Sequence, residues 1–219
     1  MKNNFLLKAV VGFFLLLCLI VPWRPADAAS DSILPSFSDF VGEVMNGQAK
    51  IVRGVYVPGV LALRVEQQPV GEPGTVLKKD GVATEFHAAA TNNNIGLLAH
   101  NNLAGATFSG LQVGQEVRIV YGDGRVDYFI VNRLVSFQAL QPDSQNGDFV
   151  DLSSKIKYTA QEVFSMFYAG SLHVTFQTCI LKDGNGSWGR LFVTAVPYLP
   201  VGYRRFQLFR FEPLWSLAR

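Results

Sequence analysis

The sequence is short of cysteine, of net charge and, beyond its N-terminal segment, of long apolar runs, and each shortage excludes a class of protein. Two cysteines, Cys18 and Cys179, make no zinc knuckle, and the three histidines, His87, His100 and His173, have none of the usual metal-ligand spacings. A formal charge of +2, with 16% charged residues, is too balanced for a nucleic-acid binder. The Gly-rich "DGNG" lacks the Lys-Ser/Thr of a phosphate loop and opens no helix. There are no internal repeats and no low-complexity segment. No metal and no cofactor is expected from these residues.

What is present suffices for one domain with a core: 219 residues, 49% of them hydrophobic. Lys2 and Lys8 flank a short n-region, an apolar run follows from Ala9 to Val21, and "PADAAS" offers small residues at Ala26 and Ala28. That run is shorter than the roughly 20 residues of a spanning helix, so it reads as a cleaved secretory signal rather than an anchor. The expected layout is a signal peptide over 1–28, a leader segment over 29–50, and a β-rich domain over 51–219 with a C-terminal extension. The mature product is expected outside the cytoplasm, extracellular or at the cell-envelope surface, with Cys18 removed and Cys179 alone.

Beyond a weakly helical "FSDFVGEVMNG" in the leader, β-type signals dominate. "IVRGVYV", "NIGLLA", "EVRIVY" and "VDYFIVN" are short, rich in β-branched and aromatic residues, and bounded by Gly, Pro, Asn or Asp. In the intervening "GDGR", Gly122 and Gly124 can take the positive φ values of a hairpin turn. One helix is well signalled: Thr159 and Glu162 have the capping-box spacing, Val163, Phe164 and Phe167 supply an apolar face, and Gly170 stands at the stop. Many short strands with one late helix indicate a mainly β fold, a closed or nearly closed barrel.

Cys179 lies in "LHVTFQTCIL". On a strand it shares a face with Gln177, Thr175 and His173, while Val174, Phe176 and Ile180 form the apolar face with Thr178. The thiol therefore points away from the core, near the strand's end. Unpaired in an oxidising compartment, it pairs with another chain, sits inert, or reacts. Reaction needs a base or a cation nearby, since only a few per cent of an ordinary thiol is ionised at neutral pH. His173 is six positions away, roughly 20 Å along a strand, which is out of reach. His87 has no polar company and reads as a structural or surface residue. His100 ends an apolar strand and opens the polar loop "HNNLAG", as a group at a barrel rim does.

These residues resemble the motifs of the sortase family. "TFQTC" (Thr175 to Cys179) is similar to the T-L-x-T-C signature around the family's nucleophile, with Phe176 in place of leucine. "NIGLLAHNNLAGATFSGLQVGQEV" is similar to the segment in which the family's histidine ends a strand, and His100 stands in its place. "WGRLFVTA" resembles the last core strand, with Arg190 matching the family's arginine. The three blocks occur in the family's order and span about 51–196. "LLAH" departs from the more usual "LAGH", and the chain runs on past the last core strand.

The resemblance implies a sortase-like closed β-barrel of about eight strands with one or two short helices. It implies a cysteine transpeptidase, a thiol enzyme with Cys179 as nucleophile, His100 as acid and base, and Arg190 holding substrate and oxyanion. Thr178, through its backbone, is a further substrate or oxyanion contact. Trp188 either lines the groove or simply packs, and Asn101 and Asn102 either orient His100 or make the loop's turn. The implied partners are exported proteins bearing a C-terminal LPXTG-like sorting motif, together with an amine acceptor on the cell wall or on another surface protein. With water as acceptor the same scaffold is a hydrolase, and with an inert thiol it is a binding module. The C-terminal "YRRFQLFRFEPLWSLAR" reads as a strap over the barrel, or as a basic and aromatic patch making peripheral contact with an anionic envelope surface. Asp143, Asp148 and Asp151 lie near one another before the helix and leave calcium dependence open.

Overall fold

Strands β1 (Val52–Val57), β2 (Leu61–Gln67), β3 (Val82–Glu85), β4 (Ile95–Leu98), β5 (Glu116–Tyr121), β6 (Val126–Ala139), β9 (Val174–Lys182) and β10 (Asn185–Pro197) pair in the order β10-β9-β4-β3-β2-β1-β5-β6, and β10 pairs with β6 to close the ring. The result is a closed eight-stranded barrel, as expected, extended beyond β6 by the short β7 (Phe149–Asp151) and β8 (Lys157–Tyr158). This computed structural model describes residues 34–144 and 146–199; the expected signal segment and the basic, aromatic C-terminal segment lie outside the described residues. Two pairings are parallel, β2 with β3 and β4 with β9, and the rest are antiparallel.

The interior follows from strand alternation. Val174 and Phe176 of β9, Ile95 and Leu97 of β4, Val193 of β10 and Ile119 of β5 point inward and pack as one apolar cluster. Residues one step out of phase point outward. In one sector, Leu98, Val135, Phe137 and Phe192 meet the helix α3 (Ala160–Tyr168) in a second cluster. There the Phe167 ring stacks on that of Phe192, with centroids 4.2 Å apart. Thr159 and Glu162 form the capping box, and the backbone N–H of Thr159 holds the Glu162 carboxylate below its usual range. Gly170 has a φ of +93°, which fits the helix's exit.

The leader contains a helix, α1 (Phe37–Val44), whose Phe40 and Val44 pack on Tyr56 and Val120 outside the barrel. Among the described residues the remaining helical pieces are a single turn, α2 (His87–Ala90), and a 3-10 segment over Ala104–Gly110. Gly124 takes the positive φ of the β5–β6 turn, but Gly122 does not. Its reason is space, because a Cβ there would collide with the Gln48 carbonyl. No helix among the described residues is long and apolar enough to cross a membrane.

Removing a ring from the barrel's centre should cost far more than removing a surface cap. We predict that Phe176→Ala destabilises the fold by about 3–5 kcal/mol, and Thr159→Ala by about 1 kcal/mol, both measured by chemical denaturation.

Candidate active site

The fold brings three residues that are distant in sequence to one cavity. Cys179 and Arg190 are direct cross-strand partners on β9 and β10, so both side chains leave the same face. On the other side of β9, parallel β4 pairs Leu98 with Gln177. The last backbone bond of this ladder runs from the Ala99 N–H to the Gln177 carbonyl (3.2 Å), and His100 follows at once, its own carbonyl accepting from the Leu103 and Gly105 N–H groups of the turn. Cys179 thus borders one cavity together with both His100 and Arg190, and a second with His100. Among the described residues no hydrogen bond joins the thiol to the imidazole.

His100 and Arg190 are both held by main-chain groups. The His100 Nε2 lies 3.1 Å from the Val76 carbonyl. A carbonyl only accepts, so Nε2 carries the proton and, in the neutral ring, Nδ1 is the basic nitrogen. Arg190 Nη1 donates to the Ser187 and Gly189 carbonyls (2.9 Å each), and Nη2 donates to that of Pro142 (3.3 Å). A guanidinium has five N–H groups, so these bonds fix the plane of the fork and leave donors for a ligand.

The outward face that carries the thiol is not open surface. α3 and the segment before β3 cover it, so Cys179 is half-buried and borders a cavity of about 400 Å³. The walls of this cavity are apolar and aromatic, with Phe86, Leu98, Phe149, Val163, Phe164 and Phe192, while His100, Cys179 and Arg190 form a polar edge. Gln177, two residues before the thiol on the same face, also lines it and accepts a hydrogen bond from the Tyr168 hydroxyl. Burial pushes the Tyr168 phenol far above its ordinary range, so it stays a neutral donor. A second cavity, of about 670 Å³, shares His100 and Cys179 and is lined by small residues such as Gly105, Ala106 and Gly186 together with the larger Ile180, Leu181 and Leu191.

The other residues singled out from the sequence are placed differently. Thr178 is buried toward the barrel interior and donates to the Ala99 carbonyl (2.9 Å), tying the end of β4 to β9; it borders both cavities. The Asn101 amide donates to the Gly186 carbonyl (3.0 Å), whereas the His100 ring meets the Val76 carbonyl. Trp188 lies on β10 rather than in a loop, because the turn after β9 is only Asp183 and Gly184 (φ +51° and +79°). Its ring packs under the Lys182 ammonium, 4.5 Å away, and is not among the residues lining the aromatic cavity.

His173 has both ring nitrogens against the carbonyls of Ser171 and Phe167 (2.7 and 2.8 Å), and His87 is exposed at the start of α2. Asp148 pairs with Lys157 (2.7 Å). The Ser153 hydroxyl and the backbone N–H groups of Ser153 and Ser154 bond Asp151, holding its carboxyl below the usual range. Among the described residues no three His, Cys, Asp or Glu side chains gather as a metal site.

No family model and no curated protein matches the chain. Solved structures do, many of them of sortases. Sortase A of Listeria monocytogenes is similar with a TM-score of 0.43 and 12% identity, covering 71% of this chain and 95% of that one. Sortase C-1 of Actinomyces oris is similar with a TM-score of 0.45 and 14% identity, over 78% and 86% of the two chains. The sortase D5 transpeptidase of Clostridium perfringens is similar with a TM-score of 0.43 and 16% identity, over 74% and 86%.

Proposed function

We propose that the protein is a sortase-like cysteine transpeptidase, and the observation that carries this reading is the meeting of His100, Cys179 and Arg190 on one cavity, with Cys179 and Arg190 paired across β9 and β10 and His100 just past the end of β4. The substrate is an exported protein with a short apolar sorting motif near its C-terminus, of the LPXTG kind. An apolar side chain of that motif fills the aromatic cavity and sets the scissile amide between the thiol and the imidazole.

His100 takes the Cys179 thiol proton at Nδ1, the sulfur attacks the carbonyl carbon of the motif's threonine, and the carbonyl electrons move onto oxygen. Arg190, pinned by three carbonyls, stabilises that oxyanion without having to reorganise. The C–N bond breaks as His100 delivers a proton to the leaving amine, and a thioester remains on Cys179. An acceptor amine then gives its proton to His100 and displaces the sulfur. The second cavity, which also borders His100 and Cys179, is the path by which the amine reaches the thioester.

Screening a peptide library by mass spectrometry tests this. We predict cleavage after threonine in a short apolar motif, complete loss in Cys179→Ala, and a loss of about 10²- to 10⁴-fold in His100→Ala. Activity surviving in Cys179→Ala would sink the reading. Added oligoglycine should convert the hydrolysed product into a ligated one; if water remains the sole acceptor for every amine tried, the protein is a peptidase on the same scaffold.

For the inert alternative, we predict that a methanethiosulfonate reagent labels native Cys179 within minutes. A thiol that resists while the fold is intact would favour a binding module.

A further inference from the structure

The His100 ring is held by a segment with no regular secondary structure, residues 68–81 between β2 and β3. A carbonyl there is a useful partner only if something fixes its direction. Val76 C=O and Leu77 N–H belong to one planar trans peptide, so they point in opposite directions. The Leu77 N–H donates to Thr84 Oγ1 (2.9 Å), and the Val76 carbonyl faces His100 Nε2 (3.1 Å). Thr84 is fully buried on β3 and cannot follow the segment if it moves.

A second clamp acts just before this peptide. Gln68, only 9% exposed, donates from Nε2 to the Pro73 and Thr75 carbonyls (3.0 and 2.9 Å) and accepts at Oε1 from the His87 N–H (2.9 Å). Two carbonyls that only accept and one N–H that only donates leave a single orientation for this amide. The peptide that meets His100 is thus fixed from both sides by buried side chains that touch neither the imidazole nor the thiol.

We propose that Thr84 and Gln68 are positioning residues for His100: they aim the Val76 carbonyl at Nε2, lock the proton there, and leave Nδ1 as the nitrogen that exchanges protons with the reacting groups. The catalytic half of this inference rests on the transpeptidase reading; the tautomer half does not.

The pair Thr84→Val and Thr84→Ser separates the hydroxyl from its shape. Imidazole nitrogen shifts of His100, from NMR on the full folded chain, should show the Nε2–H tautomer in the parent and in Thr84→Ser, and a tautomer mixture in Thr84→Val. Cleavage of the library-selected peptide should lose about tenfold in kcat with KM little changed in Thr84→Val, less than the roughly 10²- to 10⁴-fold cost of removing an acid-base group, and recover in Thr84→Ser. Should Thr84→Val fail to fold, Gln68→Glu serves, since it keeps an acceptor for His87 and deletes both donors; the same tautomer mixture and kcat loss are expected.

An unchanged tautomer and unchanged kcat in the folded variants overturn the inference. So does a faster Thr84→Val, which would make the carbonyl contact a restraint on His100. If the parent cleaves no peptide, the transpeptidase reading falls, and the nitrogen shifts alone decide whether Thr84 and Gln68 set the tautomer. If the parent cleaves and the tautomer does not respond, the inference falls while that reading stands.

Discussion

The parallel pairing of β4 with β9 is the constraint on which the site depends. Four residue pairs, Ile95 with Val174 through Leu98 with Gln177, fix the register. A slip of one residue would turn every side chain of one strand to the opposite face, sending His100 inward or Cys179 into the core. Parallel neighbours need a long crossover, and here it carries β5 to β8 and α3 around the barrel before β9 returns beside β4. Histidine and cysteine, far apart in sequence, are therefore neighbours only because the whole ring closes.

Closure makes the frame rigid, and the second layer makes it chemically useful. Buried Phe176, Phe108 and Phe129 fill the interior and leave the barrel little freedom to deform. Outside, α3 stacks Phe167 on Phe192 and sets Tyr168 against Gln177, which turns one outer sector into a half-enclosed aromatic chamber. Charges that develop at such an edge are screened less than in open water, so an arginine fixed by three backbone carbonyls acts with greater effect there.

Much of this was legible in the sequence, for identifiable reasons. Alternation along "VTFQTC" sets Cys179 on the face opposite Val174 and Phe176, and the capping box at Thr159 announces α3. Other features escaped because their cause is tertiary. That face of β9 is covered rather than open, since α3 packs on the same side as the thiol. Gly186 to Gly189 reads as loop by composition but is strand, because a two-residue turn at Asp183 and Gly184 lets β10 pair early. The helix in the leader was signalled only weakly, because the Tyr56 and Val120 that stabilise it lie far from it in sequence. The His100 partner, a backbone carbonyl at Val76, has no signature at all, because any residue supplies a carbonyl.

The most direct measurement of the central claim is to trap the acyl-enzyme. Hydroxylamine intercepts a thioester as a hydroxamate, so mass spectrometry of a cleaved sorting peptide with hydroxylamine present reports whether Cys179 carried the acyl group. The account predicts a hydroxamate at the threonine carboxyl in the parent protein and none in Cys179→Ala. Cleavage that yields only free acid in the parent, or hydroxamate at the same rate without the thiol, would contradict it.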